Sequence, residues 1–92
     1  MKIFKYLLQP AGTQTVNLPV GAKVLSVGVQ GIQVCLWALV DPTAPTTPRE
    51  FIIHGTGHPA DDVLDAIFVG TVLLYDGTLV LHVFERPTVH DA

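Results

Sequence analysis

The stretch Ile67-Phe68-Val69-Gly70-Thr71-Val72-Leu73-Leu74-Tyr75-Asp76-Gly77-Thr78-Leu79-Val80-Leu81-His82-Val83-Phe84-Glu85 decides the fold. Two apolar, β-branched runs, 67–75 and 78–85, flank the dipeptide Asp76-Gly77. A type I′ turn needs positive φ at both central positions, and Asp-Gly supplies it, so this is the strongest short hairpin signal. An antiparallel hairpin is expected here, and the rest of the chain reads in the same language. Valine is the commonest residue type at 13, and Val, Ile, Thr and aromatics fill runs of strand length. Proline at 10, 19, 42, 45, 48, 59 and 87 breaks those runs and leaves few windows long enough for a helix.

Working outward from the hairpin, further strands are expected at Lys2–Leu8, 13–18, Lys23–Gln30, 32–40 and 49–54. In the third, Leu25, Val27 and Val29 alternate with Ser26, Gly28 and Gln30, the half-buried pattern of an antiparallel sheet. Both faces of 32–40 are largely apolar, which predicts a central strand covered on both sides. Asp41-Pro42 opens a Pro/Thr-rich loop running to Pro48. Residues 60–66 hold the one helical turn expected, too short to be stable alone and capped by Asp61 or Asp62. The expected fold is all-β: a small antiparallel β-sandwich or partly closed barrel of six or seven strands. A single domain over 1–86 would carry a loose tail over 87–92.

Composition limits what such a domain can do. The chain has 92 residues, 49 % of them hydrophobic, with 14 % charged and a net charge of −3. Disorder needs the opposite balance, and a second domain needs more chain. Five Lys+Arg against eight Asp+Glu argue against a DNA or RNA partner, whose binding runs on phosphate neutralisation. No apolar run approaches a membrane-spanning length, and the N-terminus lacks the apolar core of a signal peptide. Cys35 is the sole cysteine, expected as a small buried hydrophobe. A domain of this size buries only about 60 % of its unfolded surface. The apolar excess, on 33–39 and on the hairpin, therefore predicts self-association into a homo-oligomer.

Few residues carry chemistry. In Gly55-Thr56-Gly57-His58-Pro59 the glycines permit positive φ and successive amides can cup an anion, with Thr56 and His58 as added donors. The alternative is a sharp connection between strands, with His58 satisfying loop carbonyls. Arg49 and Arg86 are the only arginines, and a phosphate ligand calls for one nearby. Trp37, if exposed, would stack on a base or anchor a partner; otherwise it is core. His54 and His58 are four apart, but on a strand end and a loop rather than one helix face, so no metal site is expected. Ser26 lies mid-strand, off any nucleophile elbow, and Asp61-Asp62 sit in a polar segment. No catalytic residue and no cofactor is expected.

Three blocks stand in order after an opening Lys2-Ile3-Phe4-Lys5-Tyr6: Leu36-Trp37-Ala38-Leu39-Val40-Asp41-Pro42, Gly55-Thr56-Gly57-His58-Pro59 and Leu79-Val80-Leu81-His82-Val83-Phe84-Glu85. In these the chain resembles a family of small proteins encoded by tailed phages and prophages, over about residues 2–85. Leu81 stands where that pattern has an aromatic, a departure that bears on packing. The resemblance implies a phage origin and a short single-domain protein, and it carries over no catalytic residues. The expected function is a non-enzymatic accessory factor of the host cytoplasm. It would counter host defence by sequestering a small ligand, a nucleotide immune signal, in pockets between subunits. Gly55, Thr56, Gly57, His58 and Pro59 would hold phosphate, Arg49 would supply charge, and Trp37 would stack on the base. The alternative is a protein–protein module, either an inhibitor of a host protein or a minor virion component. A metal-dependent hydrolase built on His54, His58, His82 and an Asp is the third possibility.

Overall fold

The computed structural model describes residues 1–87. Its strands are β1 (Lys2–Leu8), β2 (Gly12–Pro19), β3 (Lys23–Gln30), β4 (Gln33–Val40), β5 (Thr46–Gly55), β6 (Ile67–Leu74) and β7 (Leu79–Glu85). One 3₁₀ turn, Asp61–Val63, lies between β5 and β6. The strands form two antiparallel sheets, a three-stranded one in the order β1-β4-β3 and a four-stranded one in the order β2-β5-β7-β6. The fold is thus an all-β sandwich rather than a closed barrel. The tail expected over 87–92, with His90, lies outside the described residues except for Pro87.

The hairpin that decided the fold class forms in the register its turn dictates, with Leu74 opposite Leu79 and Val72 opposite Leu81. Asp76 and Gly77 both take positive φ, at 56° and 83°. The left-handed stretch also reaches back to Tyr75, at φ 52°. Amides of Gly77 and Thr78 donate to the carbonyls of Leu74 and Tyr75, so the ladder ends one rung earlier than a two-residue turn would allow.

Two elements differ from expectation. The loop after Asp41 is shorter, because β5 begins at Thr46 and runs through Pro48. Proline is admitted there because only β2 lies alongside; β7 joins β5 from Phe51 onward, so no ladder bond to β7 is lost at Pro48. The helical turn expected over 60–66 contracts to Asp61–Val63 and has no side-chain cap, as a segment too short to nucleate a helix would.

The core fills the space between the sheets. Leu8, Val34, Leu36, Ala38 and Val40 meet Leu18, Phe51, Ile53, Val72, Leu81 and Val83, all buried. β4 is the central strand of its sheet, but its second face is not covered by another layer. There Cys35 is buried while Trp37 and Leu39 are half-exposed, flanked on β1 by the exposed Ile3 and Leu7. Among the described residues, no helix is long and apolar enough to cross a membrane.

Candidate functional site

A well-formed cleft arises from two irregularities that face one another. β3 shifts register against β4 between Val24 and Ser26, which makes Leu25 a bulge residue. β6 shifts against β7 between Phe68 and Gly70, with Val69 as its bulge. A bulge bends its strand and re-aims side chains. Just beyond them β3 and β6 are pinched together: a Cβ on Gly70 would lie 2.8 Å from Cγ2 of Val27. Strands that touch at Gly70 and splay at the bulges leave a cleft of about 480 Å³ at the corner where the two sheets meet. That volume is within the usual range for small-molecule sites.

The cleft has a charged element and an apolar rim. Arg49, on the inward side of β5, donates from Nε and Nη2 to the two carboxylate oxygens of Glu85 at 2.5 and 2.8 Å. Its Nη1 donates to the carbonyl of Ala22, at the entrance to β3. The side chains are 16 % and 9 % exposed, so the pair is a desolvated, bidentate clamp tying β5, β7 and the start of β3 together. Lys23 also lines the cleft and makes no ion pair among the described residues. Glu85 offsets Arg49, so Lys23 leaves the cleft with one net positive charge. Leu25, Ile67 and Phe68 line it too, all three exposed, with the Phe68 ring set edge-on to Phe84 at 5.5 Å on the outward side of the sheet.

The Gly55-Thr56-Gly57-His58-Pro59 loop lies elsewhere, at the far end of β5 from Arg49. Six steps along the strand separate Arg49 from Gly55, roughly 20 Å at ~3.3 Å each. Two loop amides are already used: Thr56 N–H donates to the Val80 carbonyl and His58 N–H to that of Gly55. Gly57 takes φ 85°, and the His58 ring packs on Gly55, 3.3 Å from where a Cβ would be. The connection after this loop folds back over the outward face of the four-stranded sheet. There His54 Nε2–H donates to Asp62 Oδ1 at 2.7 Å, and Arg86 reaches the Asp62 carbonyl. His82 has both ring nitrogens occupied, by Thr56 Oγ1 at 2.7 Å and Thr71 Oγ1 at 2.9 Å. Among the described residues, no group of three His, Cys, Asp or Glu converges as metal ligands would.

Trp37 occupies a third location. It stands on the outward face of the three-stranded sheet, half-exposed, with its six-membered ring 2.9 Å from where a Cβ on Gly28 would be. The loop, Arg49 and Trp37 thus face three different directions within one chain. Of the residues singled out from sequence, only Arg49 lines the cleft. Lys23, Leu25, Phe68 and Glu85 were not singled out. One signal pointed to them: Gly70, a glycine inside an otherwise apolar strand, marks a bulge or a close backbone approach.

A family model described as "Domain of unknown function (DUF7352)" matches residues 1–92. No curated protein and no solved structure matches the chain.

Proposed function

The chain belongs to the DUF7352 family, and we propose that it is a non-enzymatic binding protein that takes up a small anionic ligand with an aromatic or apolar body. The observation that carries this reading is the cleft between β3 and β6, where Lys23, which makes no ion pair among the described residues, stands beside the Arg49–Glu85 clamp and Leu25 and Ile67 are exposed in the lining. A nucleotide has the matching chemistry: its base packs on Leu25 and Ile67 and its phosphate takes the Lys23 ammonium, as apolar pocket walls and phosphate–lysine pairing do elsewhere. The resemblance to phage and prophage proteins supports the finer proposal. In it the chain is phage-encoded, acts in the host cytoplasm and titrates a nucleotide signal of host defence.

Ligand-induced thermal stabilisation tests this directly, since whatever binds only the folded state raises the melting temperature. Cyclic dinucleotides, cyclic trinucleotides and ADP-ribose-type nucleotides form the panel. At least one is expected to raise the melting temperature of the native chain, with the rise lost in Lys23→Ala and Ile67→Ala. No shift across the whole panel would sink the proposal.

A protein–protein module is the second reading, favoured by Trp37 and Leu39 lying half-exposed on a sheet face with no further layer. A stoichiometric host protein retained by the native chain and lost with folded Trp37→Ala would support it over the first.

A further inference from the structure

The geometry points to self-association through β1, and this does not depend on what the cleft binds. β1 is the outermost strand of its sheet and pairs only with β4. An unpaired edge is normally blunted by a bulge, a proline or a charge standing at the edge. Two other edge strands, β3 and β6, carry bulges. β2 is a polar strand that ends in Pro19. β1 has no bulge and no proline, and its charges are Lys2, at its first residue, and Lys5. It keeps register with β4 through all seven residues, Lys2 to Leu8. Lys5, the charge in its middle, is turned away from the edge: its Nζ donates to Gln30 Oε1 at 2.8 Å, across β4 on β3. Apolar side chains are exposed on both faces of the strand, Ile3 at 62 % and Leu7 at 60 % on one, Phe4 at 37 % on the other.

We propose that β1 pairs antiparallel with β1 of a second copy about a two-fold axis at Phe4, joining two three-stranded sheets into one of six strands. A two-fold axis normal to a sheet gives antiparallel pairing automatically, and opposed residues then share a face. Centring on Phe4 sets Phe4 against itself, Ile3 against Lys5 of the second copy, Lys2 against Tyr6, and Met1 against Leu7. No lysine faces a lysine, whereas centring on Lys5 would oppose two ammonium groups, which is destabilising. The occupant is a second copy because the strand's own sequence satisfies this register on both sides of the axis.

Sedimentation velocity on the full chain at about 100 µM, where any dimer with a dissociation constant below that is mostly formed, is expected to give twice the 9.9 kDa chain mass. Ile3 is exposed, so Ile3→Lys and Ile3→Glu should both fold, which circular dichroism checks. Ile3→Lys opposes Lys5 of the second copy and should weaken the dimer at least about tenfold, while Ile3→Glu pairs with it and should preserve the dimer. A monomer at that concentration overturns the proposal. So does equal behaviour of the two variants, or a dimer lost with Trp37→Ala and indifferent to Ile3→Lys.

Discussion

At Gly70 the distance of 2.8 Å from a would-be Cβ to Val27 Cγ2 means that any side chain would push β3 and β6 apart. Valine has one stiff rotor and cannot swing clear cheaply. Gly70→Ala is therefore expected to cost about 1–3 kcal/mol, the usual penalty of overpacking, read from chemical denaturation. At the other side of the cleft, Arg49→Ala would leave Glu85 charged and 9 % exposed without its partner. Breaking such a pair costs about 3 kcal/mol. Glu85→Gln destabilises too, but it removes the carboxylate that offsets Arg49, so anion affinity should rise as stability falls. Asp41 provides a pH test. The hydroxyl and then the amide of Thr43 hold its carboxylate below its ordinary value. A lowered folded value adds stability above the unfolded value and loses it as pH falls through the folded one. Asp41→Asn should accordingly be less stable than the native chain at neutral pH, with the difference vanishing in strong acid, as pH-dependent melting would reveal. Arg49 was legible as a singular residue, but its role was not. Glu85 lies 36 positions away, and nothing local marks either residue as half of a buried pair.

For whole elements, local signals read well wherever local physics decides. β1 and β3 have the bounds their alternation predicts, and Asp76-Gly77 sets the hairpin register. The turn adds one strained residue, because a bulky side chain in the left-handed region costs about 1–2 kcal/mol. Tyr75→Gly should recover some of that, net of glycine's own entropy, and raise stability by about 0.5–1 kcal/mol in a denaturant titration. The bulge at Leu25 was not legible, and the one at Val69 had only the neighbouring Gly70 as a signal. Each sits in a run that reads as plain strand, and a bulge depends on the neighbouring strand's register rather than on its own residues. The cleft is made by those two bulges, so it stayed invisible for the same reason. Pro48 misled in the opposite direction: it reads as a loop residue, yet the absence of β7 beside it lets the strand pass through.

Across the whole molecule, the apolar excess resolves into particular surfaces. Part of it fills the core between the sheets. Part of the rest is exposed on β1 and beside the cleft, at Ile3, Leu7, Leu25, Ile67 and Phe68, and part in turns and on the hairpin, at Ile32, Leu64 and Leu73. The loop 55–59, with two amides already bonded, and Trp37, on the outward face of the other sheet, stand apart from that cleft. The central claim is that ligand recognition belongs to the corner between β3 and β6. Titrating the isotope-labelled chain with the nucleotide that most raises its melting temperature, and following backbone amide shifts by NMR, tests it most directly. The changes should concentrate at Ala22, Lys23, Leu25, Arg49, Phe68 and Glu85. Changes centred on Thr56, Gly57 and His58 with the cleft undisturbed would contradict the account.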